Sequence, residues 1–519
     1  MSQFKWNIAA NYFGRGWLGV TNLLCVPLYA KFMGVESYGL VGFFGVLQSS
    51  FLILEIGLYT TLNRELARLA KAQGSEEVSR DVVRTLETIY WMGSVLIAVI
   101  VYLIAPYVAV HWLKTELLPT STLETAIMLM GIAMALEGPH ALYNSGLMGL
   151  QKQVLVNCIS SVFITLRCFG AIAVLWGVSP TIEAYLWWQI PVSAARTLTT
   201  AVFLQKNMPS IGRRARFDKR HFRALWKFSL GVSGAAILTL LLTQGDKILL
   251  SKMLTLETFG YYNLAWVLGF SLVGLLVDPI KDASFPRFSQ LAEANEIKSI
   301  ADLYHLSCQA ATVVLAPVSL VVVFFAYDIV LAWTGMPTMA QKTCSILELL
   351  IIGMALRGLM TLPTTLQLAY GWTRLMIGMN VVAVIIFMPL VTVLAVFKGS
   401  LGAASAWVVL YAGYVFFGIT LMHRRILKGE ERTWYVSDVG LPLFSALAVV
   451  YLGRCLAPDK MTMVTTLMYL ALVLIVSMVA ASLAGPKIRK LALRSMGDAW
   501  RFFFKRGESL SEAEFKENA

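Results

Sequence analysis

Four cations stand inside otherwise apolar runs of this chain: Arg15, Arg167, Lys247 and Arg357. Four carboxylates, Glu55, Glu137, Asp246 and Asp278, do the same. A charge at the centre of a bilayer costs about 2.5 to 3.5 kcal/mol on insertion scales, so such groups face a cavity or a partner. Two chemistries fit these residue types. Guanidinium and ammonium groups hold phosphate or diphosphate, arginine through paired hydrogen bonds. The carboxylates carry a coupling proton or sodium ion, or form structural pairs such as Arg15 with Glu55.

Helical phase orders these groups into stripes. At about 100° per residue, Asn7, Asn11, Arg15 and Asn22 share one side of a first helix, and Gln48, Glu55, Tyr59 and Asn63 one side of a second. Glu137 aligns with His140 and Asn144, and Arg167 with Ser160. In the second half Ser229, Ser233, Thr243, Lys247 and Ser251 align, as do Ser271, Asp278 and Asp282. Asp246 points to a different side from Lys247, which leaves Lys247 facing substrate and Asp246 facing a neighbouring helix or an ion. A structural ion pair accounts for any one position, whereas stripes in several helices favour a water-filled cavity of mixed charge. Asn11, Gln48 and Gln244 would supply hydrogen bonds there.

The elements that position these groups must cross a membrane. A chain of 519 residues with 58% hydrophobic and 14% charged content and a mean hydropathy of +0.69 cannot hide its apolar side chains as a water-soluble globule. Repeated apolar runs of about twenty residues span roughly 30 Å of hydrocarbon as helices, which satisfy their own backbone and exclude a β-barrel. The expected fold is an all-α polytopic membrane protein of about fourteen transmembrane helices, the first near 8–30 and the last pair near 438–454 and 461–484. Residues 1–204 form a six-helix lobe, 205–227 a basic amphipathic linker helix, 228–425 a second six-helix lobe, 426–485 two further helices and 486–519 a basic amphipathic tail.

Lys and Arg collect in alternate loops: Lys5, then Arg64 to Arg84, then Lys152, then the run from Lys206 to Lys227. This asymmetry places both termini in the cytoplasm of a cell whose inner membrane holds the chain. Arg15 interrupts the first apolar run, which is expected to stay uncleaved. Spread over loops in this way, the net charge of +13 calls for lipid headgroups rather than nucleic acid. The six cysteines lack zinc spacings and read as reduced packing residues. No GxxxxGK[ST] loop and no HExxH occurs, so neither a nucleotide, a metal nor another cofactor is expected and the chain is not read as an enzyme. Energy then comes from an ion gradient, of protons or sodium, from the membrane potential or from the substrate gradient.

The chain also repeats itself. KFMGVESYG (Lys31 to Gly39) returns as KMLTLETFG (Lys252 to Gly260), and the offsets Glu36 to Glu257 and Trp112 to Trp333 are both 221 residues. Six crossings separate the copies, so they enter the membrane in the same direction. Parallel repeats place a substrate site between two bundles.

NYFGRGW, PLYAKFMGVESYG, LMGLQKQ and SGAAILTLLLTQGDKILLSKMLTLETFGYYNLAW together resemble Wzx-type polysaccharide flippases of the multidrug/oligosaccharidyl-lipid/polysaccharide exporter superfamily, over roughly residues 5 to 425. The resemblance implies a V-shaped pair of lobes and alternating access. The cargo it implies is a polyprenyl-diphosphate-linked oligosaccharide, with membrane lipids and a polysaccharide polymerase or other assembly proteins as partners. By position Arg15 and Lys247 match the cations thought to engage the anionic substrate. The last two helices exceed the common twelve and are similar to the extra helices of the related lipid II flippase. A cation-coupled multidrug exporter, a lipid II flippase role and a non-transporting subunit of an assembly complex are the rival readings.

Overall fold

The computed structural model describes residues 3–69, 75–210, 212–458 and 462–491, with the side chains of 3–13, 15, 52–58 and 220–235 left aside. In the first half α1 (Gln3–Met33), α2 (Val35–Leu69), α3 (Glu76–His111), α4 (Thr120–Gly149), α5 (Gln153–Gly177) and α6 (Ile182–Asn207) follow one another. Next come α7 (Lys219–Met253), α8 (Leu256–Glu293), α9 (Ile297–Phe324), α10 (Ala326–Thr334), α11 (Pro337–Leu359), α12 (Thr361–Ala369) and α13 (Thr373–Gly413). A π-helical stretch, Tyr414–Gly418, leads into α14 (Ile419–Arg425); after α15 (Glu431–Thr433) a second one, Trp434–Gly440, leads into α16 (Leu441–Cys455) and α17 (Met463–Ala484). The all-helical architecture follows from the bilayer, where a helix bonds every interior N–H to its own carbonyls. Among the described residues, nine helical stretches are long and apolar enough to cross it. The chain is a multi-pass membrane protein.

Local chemistry sets the ends and breaks. Thr181 and Thr462 cap α6 and α17, their hydroxyls accepting from the backbone N–H of Ala184 and Thr465, each at 3.3 Å. Gly399 adopts φ +56°, and Gly402 packs directly on the Leu394 carbonyl, so α13 is two helices joined by a tight reversal. Residues 205–227 do not form the separate linker helix expected from their amphipathic pattern. Asn207 ends α6, residues 208–218 are non-helical where described, and Lys219 already begins α7. The cause lies in α3. Asp81 accepts from the Arg213 guanidinium and from the Arg216 N–H at 2.8 Å, and Thr85 accepts from the Asp218 N–H at 3.1 Å, which ties the segment down as an extended strap. Of the expected amphipathic tail, residues beyond 491 lie outside the described part.

Contacts divide the chain into two compact units. The first comprises residues 1–268, 333–346 and 377–406; the second comprises 269–332, 347–376 and 407–519. In the first, α4 packs on α2, α3 and α6, while α1 packs on α5 and α2 on α7. A core of Leu62, Leu66, Leu86, Leu142, Leu147 and Leu204 locks α2, α3, α4 and α6 together. The outer face of α3 exposes Met92, Val95, Leu96, Val99 and Leu103, as a lipid-facing surface should. In the second unit α9 packs on α16 and α17 through Val321, Phe325, Val450, Leu470 and Val473. The first turn of the segment after α17 joins the same packing, because Gln309 of α9 accepts from the Lys487 N–H at 2.9 Å and donates to Asp438 at 2.9 Å.

The duplicated motif has a structural cause within the first unit. A Cβ at Gly39 would strike the Leu256 carbonyl oxygen, and one at Gly260 would strike that of Val35. Since Val35 and Gly39 stand 221 residues before Leu256 and Gly260, the two contacts are equivalents of each other. The N-terminal turns of α2 and α8 therefore cross about a local twofold, backbone against backbone, which only glycine permits. One turn further in, Asn263 donates to Tyr38 Oη at 3.1 Å and lies against Gly42. The motif glutamates serve the loops beside the crossing. Glu36 accepts from Thr115 Oγ1 and the N–H groups of Glu116 and Leu117, and Glu257 pairs with Lys342 at 2.9 Å.

Candidate functional site

Two adjoining cavities lie among the helices of the first unit. One, of about 450 Å³, is walled by Gln48, Ser49 and Tyr59 of α2, Glu137, His140 and Asn144 of α4, Arg167 of α5 and Arg196 of α6. The other, of about 340 Å³, shares Gln48, Ser49 and Arg167 and adds Asn22, Tyr29, Tyr38, Tyr185, Gln244, Lys247, Asn263 and Trp266. Arg167 thus stands in the wall common to both.

Its position is set by α6. Arg167 Nε donates to Gln189 Oε1 at 2.7 Å, Nη2 reaches Ser193 Oγ at 3.4 Å, and the Glu137 carboxylate lies 3.8 Å away. The nearer partner of Glu137 is Arg196, at 2.6 Å. Two guanidinium groups therefore share one carboxylate, and the cluster keeps a net positive charge. His140, buried beside it, bonds Thr200 Oγ1 through Nδ1 at 3.1 Å. Gln48 Nε2, Gln189 Nε2 and Arg196 Nε are buried and have no hydrogen-bond partner among the described residues. Buried donors in that condition are the exception in folded proteins, and a water, an ion or a ligand group bound in the cavity would satisfy them.

Lys247 supplies the second positive centre. It is 2% exposed, and its Nζ stands 3.3 Å from the centroid of the Trp266 ring, a cation–π contact that steadies the ammonium without neutralising it. Among the described residues no carboxylate lies within ion-pair distance of it. Asp246, the next residue, is fully buried on another side of α7, where Tyr262 Oη donates to it at 2.7 Å; it does not line the cavity. Gly245 between Gln244 and Asp246 packs on the Met388 side chain, which draws α7 close to α13.

The remaining candidates fall elsewhere. Arg357, over the Phe270 ring at 4.9 Å, and Asp278, paired with Lys281 at 2.7 Å, belong to the second unit. The side chains of Asn11, Arg15 and Glu55 lie outside the described residues. Sequence reasoning did not single out Arg196, Trp266, Tyr29 or Tyr185. A signal for Arg196 was present, because Gln189, Ser193, Arg196, Thr197 and Thr200 make a polar stripe at helical spacing. No group of three or more metal-ligating side chains occurs among the described residues. What the cavities offer is anion binding by fixed cations, with amides and hydroxyls for neutral polar groups and aromatic faces for the apolar side of a sugar.

Comparison with known proteins gives the family and the fold. The family described as Polysaccharide biosynthesis protein matches residues 8–292, more than half of the chain. The teichuronic acid biosynthesis protein TuaB of Bacillus subtilis (strain 168) is 26% identical over 233 residues, which are 43% of this chain and 45% of that protein; the chain spans about half the length of this relative. Among solved structures, the lipid II flippase MurJ in an inward closed conformation matches with a TM-score of 0.71 at 13% identity, covering 92% of this chain and 98% of that one. An inward-facing multidrug resistance MATE family transporter of the MOP superfamily matches with a TM-score of 0.63 at 12% identity, covering 80% and 98%. The fold is shared with these two transport proteins.

Proposed function

The chain belongs to the polysaccharide biosynthesis protein family, and from that premise we propose that it is a flippase for a polyprenyl-diphosphate-linked oligosaccharide. It takes its substrate from the inner leaflet of a bacterial inner membrane, with both termini in the cytoplasm, and releases it in the outer leaflet by alternating access. The observation that carries this reading is the pair of cations, half-buried Arg167 and buried Lys247, in the walls of adjoining polar cavities. The diphosphate sits against them, while Gln48, Gln244 and Asn263 bond sugar hydroxyls and Trp266 stacks on a ring face. An apolar isoprenoid needs no such groups and stays in lipid.

A cation-coupled drug exporter fits less well. Its cargo would need a carboxylate free to receive it, whereas Glu137 is already held by two arginines. Glu137 remains the candidate in this cavity for a coupling proton or sodium ion.

Purified protein in liposomes, given a fluorescent polyprenyl-diphosphate oligosaccharide, tests the proposal by the rate at which the probe becomes accessible on the opposite face. Charge-assisted hydrogen bonds are worth about 1.5 to 3 kcal/mol, so Lys247→Ala and Arg167→Ala are each expected to slow translocation about ten- to a hundredfold, with Lys247→Arg retaining more activity than Lys247→Ala. Unchanged rates in both alanine variants would sink the idea. In cells, deletion is expected to accumulate the lipid-linked glycan on the inner face.

A further inference from the structure

A third cavity, of about 360 Å³, lies at the charged end of α3, where the strap that follows α6 crosses it. Arg80, Arg84, Arg213 and Arg214 line it, with Gln205, Ser210 and Glu87; Val83 and Met208 are its buried floor. We propose that this cavity binds the phosphate of a membrane lipid, at a site separate from the transport cavities.

Two of the four arginines build the site and two are left to bind. Arg80 donates from Nε to Pro209 O at 2.7 Å, from Nη1 to Gln205 Oε1 at 2.9 Å, and from Nη2 to the carbonyls of Gln205 and Met208 at 3.4 Å. All of these acceptors are neutral, so the guanidinium is fixed in place with its charge uncancelled among the described residues. Arg213 is consumed by Glu77 and Asp81, which pin the strap. At the rim, Arg84 has a single carboxylate partner, Glu87 at 2.8 Å, and that carboxylate also accepts from Tyr143 Oη at 2.6 Å. Arg214 is exposed, and its side chain has no partner among the described residues. With Arg213 neutralised by its two carboxylates and Arg84 sharing Glu87, the uncancelled positive charge of the lining rests on Arg80 and Arg214.

The height of the cavity identifies the ligand. Met92 of α3 is 69% exposed and stands eight residues from Arg84, about 12 Å along the helix at about 1.5 Å per residue. On the other wall, Val202 of α6 is 49% exposed and lies one turn from Gln205. Lipid-facing apolar side chains thus give way to arginines at the mouth of the cavity, which is the level of the headgroup phosphates. Arginine clusters suit a phosphate because each planar fork donates two parallel hydrogen bonds. A bulk anionic phospholipid and a polyprenyl diphosphate present the same chemistry here.

The test uses the full chain in nanodiscs of phosphatidylcholine, with and without phosphatidylglycerol, and counts retained phosphatidylglycerol by native mass spectrometry. Arg84→Gln and Arg214→Gln alter rim residues only, and thermal unfolding checks that each variant is folded. Near a membrane surface each arginine is worth about 1 kcal/mol, about fivefold in affinity, so each variant is expected to weaken retention about fivefold and the double variant multiplicatively. Arg287→Gln, an exposed arginine far along the sequence on α8, should leave retention unchanged. Equal retention by wild type and the double variant, or equal loss in Arg287→Gln, would overturn the site. Added decaprenyl diphosphate then separates the sources: displacement of the bound phosphatidylglycerol assigns the site to the carrier lipid, and its persistence assigns it to bulk phospholipid.

Discussion

Glu137 has to serve two guanidinium groups at once, Arg196 at 2.6 Å and Arg167 at 3.8 Å. Removing one partner of a fully buried pair leaves an uncompensated charge and costs about 3 to 5 kcal/mol, an upper bound for this mostly buried pair, whereas replacing the whole pair by apolar groups costs far less. Glu137→Gln is therefore expected to lower the thermal midpoint sharply, and Glu137→Leu combined with Arg196→Leu to recover much of the loss; additive melting shifts would show that the two side chains do not interact. Glu137, His140 and Asn144 could be read from the sequence because one helix carries all three on one face. Trp266 could not, since nothing local marks one tryptophan of an apolar run as the platform beneath a lysine on the preceding helix. The separation of Asp246 from Lys247 needed only the 100° step of the helix, but the tyrosine that receives Asp246 is a tertiary fact.

At the level of elements, the crossing of α2 and α8 rests on two glycines whose missing side chains make room for carbonyl oxygens. Gly39→Val and Gly260→Val should each disrupt it, by about 3 kcal/mol or more given the overpacking and backbone shift required. The expected readout is a loss of monodisperse protein in size-exclusion chromatography of a fluorescent fusion, similar for the two variants because their contacts are equivalent. A mild effect at one site with a severe effect at the other would contradict that equivalence. The strap is a second test of local design. Asp81→Asn weakens the hold on Arg213 and Arg216, and trypsin is expected to cut between residues 212 and 219 several times faster than in wild type; an unchanged cleavage rate would mean the strap is held by other groups. The 221-residue repeat was visible in the sequence, yet its cause was not, because an approach of two backbones leaves no side chain to read. The expected linker helix failed only over the strap: Phe222, Leu225 and Trp226 of the amphipathic pattern lie in α7, while the strap holds Phe217 alone, and Asp81 and Thr85 of α3 satisfy backbone groups of its non-helical part.

At the scale of the molecule, the sixth helix expected in the 1–204 lobe is present as α6, but apolar composition alone marks a helix that meets lipid better than one that meets a cavity. α6 is not among the stretches apolar enough to cross by composition, although it is 26 residues long, because Gln189, Ser193 and Arg196 occupy its inner face. The two C-terminal helices were legible as apolar runs, while their attachment was not. His305 of α9 bonds Asp438 and lies 3.3 Å from Glu430, and Gln309 bonds Asp438 and the Lys487 backbone. Truncation after residue 425 would leave these buried side chains of α9 unpartnered, at about 1 to 3 kcal/mol for each lost bond, so the shortened chain is expected to unfold at a lower temperature than the full one, and an equal midpoint would refute the dependence. The glycine crossing has a consequence for how such a chain could arise. A contact in which Gly39 meets Leu256 while Gly260 meets Val35 is self-complementary, the isologous geometry of a symmetric homodimer. A half-length ancestor carrying one copy of the motif could have paired with itself in the membrane through the same surface, and gene fusion would then have made that pairing permanent and left each copy free to specialise.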